Sequence, residues 1–335
     1  MPFDVPGLAN LDVYNKAMKG MLTQLTWTSA GNDIKKATVG KGSILMGDNL
    51  DHLLAFAKTR REPMVESGLQ FTRRNYGTGN YYFVANKGVK KIDGWITLSG
   101  NTASVIQFNP MTKTSGVARI QRSPAEGTQV YLQLEPGESC ILQTSATAIK
   151  GNLYAYYKPT GKAVEIKGEW TISFTDGGPE LPETVKQTTL SSWTDLDGQA
   201  VKRFSGTAKY SISFAKPGDA TQAWQLDLGK VYETAEVYLN GTKLTTLLGP
   251  DFKAIIPTTL LKANNTLEVN VSNLMANRIS DMDKHKIPYR IFYNTNFPAR
   301  FRDNRGEDGL FSAAKWDPKP SGLVGPVKLV AMEKE

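Results

Sequence analysis

Apolar and polar residues alternate through most of this chain, and only its first part follows a helical spacing. The stretch from Trp224 to Asn277 holds two β-runs on either side of Asn240-Gly241 and a third, Thr266 to Val271, that alternates cleanly. A two-residue hairpin is expected at Asn240-Gly241, because a type I′ turn needs positive φ at both central residues. In the first part, Leu8, Leu11, Tyr14, Ala17, Met18, Met21, Leu22 and Leu25 recur at helical spacing. A short apolar run, Ser43 to Met46, precedes Asp48-Asn49, a candidate N-cap. Leu50 to Lys58 predicts a second helix, with Leu50, Leu53, Leu54 and Ala57 on one face.

These patterns divide the chain into three. Residues 1–62 form a helical or α/β segment that cannot bury both faces of a sheet by itself, and so read as a remnant of a larger domain or a cap. Residues 63–168 hold short strands at roughly 8–12-residue spacing with Gly and Pro between them, the pattern of an antiparallel sandwich. Residues 169–335 read as a second sandwich of jelly-roll type. It opens at Trp170 to Phe174, turns through a loop at Thr175 to Glu183, and closes with a strand after Ser321 to Pro326. The fold class is therefore mainly β, two antiparallel sandwiches behind a short helical segment.

Composition narrows the function classes. The 335 residues are 40% hydrophobic and 21% charged, with 30 Gly and 17 Pro, as suits a turn-rich β protein. No run approaches the ~18 apolar residues of a membrane span. Met1-Pro2-Phe3-Asp4 lacks the basic and apolar regions of a signal peptide, which leaves three readings: a cytoplasmic protein, a removed leader, or a piece of a longer chain. The formal charge is +8, but the cations are dispersed and no nucleic-acid-binding motif accompanies them. Diffuse basicity fits solubility, or weak attraction to acidic polymers such as pectic polysaccharides. Cys140 is the only cysteine. It excludes an internal disulfide and a cysteine-built metal site, and its alternation with Ile141 and Leu142 marks a core thiol. His52 and His285 have no metal-ligand spacing. A Ser-His-Asp triad through His285 lacks a nucleophile elbow.

Chemistry-bearing side chains concentrate between Arg278 and Trp316, where the strand pattern stops. Asp281, Asp283, Asp303, Glu307 and Asp308 lie there among five arginines and aromatic residues that include Tyr289, Phe292, Tyr293, Phe297 and Phe301. A connection of that length is commonly functional or disordered, and its aromatic content argues for order. Three readings stand: a loop held by Arg–carboxylate pairs over a sheet, a carbohydrate- or partner-contacting loop, and a catalytic loop using Asp303, Glu307 and Asp308. Trp95, Trp170 and Trp224 fall in strand patterns and read as core or sheet-face residues. Trp193 and Trp316 fall beside polar residues in loops, where an aromatic ring stacks on a sugar. Together with Tyr289, Asn294, Arg300, Arg302 and Asp303 they are the candidate sugar contacts.

Residues 40–335 resemble the C-terminal portion of glycoside hydrolase family 106, the bacterial α-L-rhamnosidases. The resemblance rests on ordered fragments: Gly40-Lys41-Gly42, Gln70 to Arg74 before Tyr81 to Asn86, Phe108-Asn109-Pro110 before Gly116, and Leu134 to Ser139. It continues through Trp170, Phe174, Trp193, Phe204 to Tyr210, Asn240-Gly241, Asn273 to Arg278 and Gly322 to Val327. The last part also resembles the galactose-binding-like, sugar-binding jelly roll of large glycosidases such as family 2. This resemblance implies two β-domains behind a catalytic barrel that carries the acid and base, so no catalytic residue is transferred here. It implies a role in polysaccharide degradation in a family that is typically periplasmic or secreted. Jelly rolls of this type also often carry a structural calcium ion, with Asp227, Asp251 and Asn273 as candidate ligands.

The leading expectation is a carbohydrate-binding accessory portion acting on rhamnose-containing, pectic plant glycans. The alternatives are a small stand-alone hydrolase using the carboxylates of residues 281–308, and a structural module packing on a separate catalytic chain through residues 1–62. No nucleic-acid or membrane partner is expected.

Overall fold

A computed structural model describes residues 5–7, 9–59, 61–123, 127–218, 221–289 and 300–335. The described chain is mainly β. Its first part holds the helix Leu11–Thr23, an antiparallel sheet of Trp27–Ser29, Lys35–Val39 and Gly42–Met46, and the helix Leu50–Phe56. Asn49 caps the second helix, its side-chain oxygen accepting from the Asp51 and His52 amides at 2.9 and 3.2 Å. The first helix buries none of its residues.

The first sandwich packs a five-stranded sheet on a three-stranded one. The five run in the order Leu69–Tyr76, Gly79–Asn86, Ser139–Ser145, Ser104–Asn109, Thr114–Val117. The three are Ile92–Thr97, Gly127–Leu134 and Ile120–Ser123, with Gly127–Leu134 central. Alternation aims Tyr82, Val84, Ile96, Val130, Leu132 and Leu142 into one core. Cys140 is in that core, and burial pushes its thiol up to about 12, so it stays an unreactive thiol.

The second sandwich pairs a six-stranded sheet with a smaller one. Its six strands run Val185–Gln187, Trp170–Gly178, Ser205–Ala215, Asn264–Ser272, Thr234–Leu239, Thr242–Leu248. Opposite lie Tyr157–Pro159, Lys328–Lys334, Ala223–Asp227 and Lys253–Pro257. The hairpin expected at Asn240-Gly241 forms, with φ of 52° and 80°. Asn240 also ties it down through its side chain, which accepts from the Thr266 amide at 3.0 Å.

Two local expectations are corrected. Trp170–Gly178 continues as strand into the stretch read as a loop from Thr175, past an irregularity between Phe174 and Asp176. The stretch from Arg278 onward, read as a loop, begins inside the helix Ala276–Lys284. That helix buries Asn277, Ser280 and Asp281. The spacing is helical, but the buried stripe is polar, so apolar periodicity has nothing to register.

The two sandwiches meet at defined points. Gly137 lies so close to the Pro250 ring that a Cβ there would sit 2.3 Å from it. The C-terminal Glu335 joins Arg119 and Lys158, and its amide donates to the Tyr156 carbonyl at 3.0 Å. Glu138, on the first sandwich, is withdrawn from water at this junction. Burial raises its carboxyl above the ordinary range and Asp251 adds to the effect, against the bond from the Glu135 amide and the charge of Lys253. A value higher folded than unfolded means the folded protein binds the extra proton. The resulting stabilisation is complete below the unfolded value and is lost as pH rises through the folded one. Glu138→Gln, which keeps the acceptor, is therefore expected to flatten this part of the stability–pH curve, measured by chemical denaturation across the acid range. An unchanged slope would show that Glu138 does not titrate as described.

Candidate functional site

The end of the second sandwich is organised around Ser321, which is 1% exposed. Its amide donates to Ser192 Oγ at 2.9 Å, and Ser192 Oγ donates to its carbonyl at 3.1 Å. Asn273 Nδ2 donates to Ser321 Oγ at 3.0 Å and to the Phe204 carbonyl at 3.1 Å, while Asn273 Oδ1 accepts from the Gly206 amide at 2.9 Å. Asn277 clamps Lys319 from both sides of its amide, at 2.7 and 2.8 Å. The buried Tyr210 hydroxyl accepts from the Leu323 amide at 3.0 Å, and burial raises its phenol. A side chain at Gly322 would meet that hydroxyl at 2.3 Å, and its φ of +94° also favours glycine. These bonds fix both ends of the long excursion from residue 276 to residue 321.

One consequence is a cleft of about 370 Å³ beside the helix Ala276–Lys284. Lys202, Arg203, Asn277, Asp281, Lys284 and His285 are among the residues lining it. Asp281 is neutralised by Arg278, at 2.7 Å, with His285 Nδ1 at 3.1 Å. Arg203 binds Glu180 at 2.5 and 3.2 Å, which raises the guanidinium. Among the described residues, no carboxylate pairs with Lys202 or Lys284. The cleft mouth is thus cationic and suits an anionic group on a polar ligand. His285 bonds to Asp281 rather than to a serine, and the buried Ser280 Oγ has no partner among the described residues. Nucleophilic catalysis through a Ser–His bond is not built here. A second cleft, about 600 Å³, lies between Gly229–Glu233 and Gly249–Phe252, and its charged residues are Lys230 and Glu233.

The predicted site residues separate. Trp193 is fully buried, and its reading as an exposed sugar contact is corrected. It packs on Phe174 and Phe204 at 5.5 and 5.7 Å, and its amide donates to the Ser321 carbonyl. Its position between polar residues misled because Ser192 and Thr194 satisfy a turn above it while the indole turns inward. Asn294 lies outside the described residues. Tyr289, half-buried, donates to Asp283 Oδ2 at 3.1 Å, and the Ala313 amide donates to the same oxygen at 2.7 Å. Trp316 is half-buried, edge-on to Phe311 at 5.7 Å, with Nε1 donating to Asn304 Oδ1 at 2.8 Å. Arg302 and Asp303 share the turn Arg302–Asn304 and are exposed, as is Arg300 over the Phe301 ring at 4.8 Å. Glu307 and Asp308 occupy an exposed turn in which Asp308 accepts from the Leu310 amide at 2.9 Å. Asp303, Glu307 and Asp308 line neither cleft.

The three candidate calcium ligands have other partners. Asp227 accepts from the Gly229 amide, Asp251 pairs with Lys253, and Asn273 belongs to the Ser321 network. Among the described residues no group of three or more His, Cys, Asp or Glu side chains is placed to hold a metal. Sequence reasoning missed Lys202, in the short helix Gln199–Arg203, and missed Asn277 and Lys284, whose only signal was the polar spacing of the helix Ala276–Lys284.

No family model matches the chain. Over 198 residues it is 31% identical to a putative β-glucuronidase of Formosa agariphila, a match covering 53% of this chain and 16% of that protein. Its fold matches the rhamnosidase of Novosphingobium sp. PP1Y along 97% of this chain and 29% of that one, with a TM-score of 0.63 and 21% identity. The chain thus spans less than a third of either. It is glycoside-hydrolase-like, with the fold of a β-sandwich part of such enzymes.

Two substitutions test the architecture of this end. Trp193→Ala is expected to cost about 3–5 kcal/mol, the range for truncating a buried aromatic residue. Arg302→Ala is expected to stay within about 0.5 kcal/mol, as exposed substitutions do. Urea unfolding of both variants measures the contrast, and equal effects would contradict the burial described.

Proposed function

We propose that this chain is the carbohydrate-binding accessory portion of an α-L-rhamnosidase-like glycoside hydrolase of the family 106 kind, acting on pectic plant cell-wall glycans. Catalysis belongs to a barrel with no counterpart among the described residues. The observation that carries this reading is the extent of the fold match, 97% of this chain against 29% of the rhamnosidase. Hydrolysis needs two carboxyl groups facing one glycosidic bond, ~5–5.5 Å apart for retention or ~6.5–9.5 Å for inversion. Asp303, Glu307 and Asp308 stand in exposed turns outside both clefts, which favours a contacting role over a catalytic one. The cationic cleft at Lys202, Arg203 and Lys284 supports an acidic glycan, as pectic uronates are. The name of the Formosa agariphila relative, a putative β-glucuronidase, points to the same sugar class.

Binding to polygalacturonate and to a rhamnose-containing pectin is the direct test. The double variant Lys202→Ala, Lys284→Ala is expected to lose affinity for the acidic polymer, with a weaker salt dependence than the unaltered protein. Trp316→Ala and Arg302→Ala are expected to weaken binding more modestly, from the adjoining excursion. A scan of aryl glycosides and pectins is expected to release no sugar; turnover near ~1 s⁻¹, within the ordinary enzyme range, would overturn the accessory role.

A second reading rests on the helix Leu11–Thr23. It leaves Val13, Tyr14 and Met21 exposed at 65%, 54% and 63%, and none of its residues is buried. An amphipathic helix gains most of its stability from packing, so this surface suits a module that docks on a separate catalytic chain. Light scattering across a concentration series checks it. A clean monomer that captures no catalytic partner counts against docking through this helix.

A further inference from the structure

The outer face of the three-stranded sheet in the first sandwich carries an aromatic surface that the cleft reading leaves unused. Ile92, Ile96, Val130, Leu132 and Leu134 point into the core. Strand alternation therefore places Asp93, Trp95, Thr97, Gln129, Tyr131 and Gln133 on the opposite face. The register sets Trp95 beside Tyr131, Asp93 beside Gln133 and Thr97 beside Gln129.

Trp95 is 40% exposed, an unusual position for so large an apolar ring, and it is held in place. It stands edge-on to Tyr131, with ring centres 5.4 Å apart and planes at 69°. Tyr131 is only 8% exposed, and its hydroxyl donates to Asp93 Oδ1 at 2.5 Å. Tyr156 backs it edge-on at 5.0 Å. The indole is thus braced from beneath and keeps a free flank. On that side runs an uncharged row: Gln121 Nε2 donates to Gln129 Oε1 at 2.6 Å, and Gln129 Nε2 donates to Thr97 Oγ1 at 3.1 Å. Same-face neighbours along a strand lie about 6.6 Å apart. Thr97 and Asp93 therefore flank the ring at a distance that reaches the rim of a molecule stacked on it.

A protein-protein contact core gathers apolar neighbours around such an anchor. Around Trp95 the register places amides, a hydroxyl and one carboxylate instead. A pyranose ring has the complementary shape, with an apolar face of C–H bonds and a rim of hydroxyls that donate and accept. Asp93 Oδ1 accepts from Tyr131 and, at 3.3 Å, from Gln133 Nε2, and its Oδ2 lies 3.4 Å from Lys91, which leaves a charge-paired carboxylate with a lone pair for a hydroxyl donor beside the uncharged row. We propose that this face binds an uncharged saccharide by stacking on Trp95, with Asp93 and the Thr97–Gln129–Gln121 row bonding its hydroxyls. It is a second contact, on residues distinct from the cationic cleft.

Affinity electrophoresis of the full chain in gels containing xyloglucan, arabinoxylan or galactomannan, with polygalacturonate as the acidic counterpart, tests the assignment. At least one neutral polymer should retard the unaltered protein. Trp95→Ala should weaken that retardation at least about tenfold, as loss of a central aromatic anchor does, with a melting temperature within a few degrees. Trp95→Phe should keep part of it, and Gln129→Ala should weaken it if Trp95→Ala proves unstable. The double variant Lys202→Ala, Lys284→Ala should leave neutral-polymer retardation unchanged, which separates this site from the cleft. The assignment is overturned if no neutral polymer retards the protein, or if Trp95→Ala is retarded equally. It is also overturned if Trp95→Ala dissociates an oligomer in light scattering, which would make the face a protein contact.

Discussion

The hydrogen-bonded knot at Ser321 is the constraint on which the functional end of this molecule depends. Ser192, Asn273 and Asn277 converge on a segment that is almost wholly buried, and Tyr210 receives the amide two residues on. A polar group in such a place costs several kcal/mol if left unpaired. Every partner that reaches Ser321 therefore removes a penalty as well as adding a bond, and the segment has one low-energy position. That position aligns Lys328–Lys334 to enter between Tyr157–Pro159 and Ala223–Asp227, so the last strand closes a sheet whose other members lie far back in the chain.

The same knot makes a long excursion compatible with a compact sandwich. Because Asn277 is bonded to Lys319 and Ser321, the described parts of the connection leave and rejoin the sandwich at one place. Its own order comes from short polar links: Asp283 to Tyr289 and Ala313, and Asn304 to Trp316. The aromatic cluster of Phe174, Trp193 and Phe204 packs beside the Ser321 segment, with Trp193 against Gly322. The cleft lies between the helices Gln199–Arg203 and Ala276–Lys284, and its cationic rim follows from pairing Asp281 with Arg278 while Lys202 and Lys284 face water.

The two sandwiches divide surface roles by charge. The end of the second presents lysines around a polar cleft, whereas the outer face of the first presents a braced indole beside uncharged amides. An acidic and a neutral saccharide would thus meet different physics on one chain, salt-dependent attraction in one case and stacking in the other. Glu138 and Asp251 at the junction, whose carboxyls burial raises, show that carboxylates are also drawn out of water where the sandwiches touch.

Much of the architecture was legible from local pattern alone. Period-two alternation fixes which face of each strand is buried, as at Leu267, Val269 and Val271, because a slip of one residue would reverse every side chain. Asn240-Gly241 fixes its turn because few residues tolerate positive φ twice in succession. Tertiary structure decided the rest. Trp193 sits among serines and threonines in sequence, yet its burial depends on Phe174 and Phe204 arriving from other strands. The helix Ala276–Lys284 buries Asn277, Ser280 and Asp281, a stripe with no apolar signal, because its partners are backbone groups and an arginine rather than a hydrophobic face. Trp95 alternates like a core residue, and only the pairing of its sheet shows which side faces water. Periodicity reports how a segment is buried when burial is apolar; where burial is polar, or where two faces compete, the answer lies in contacts between residues distant in sequence.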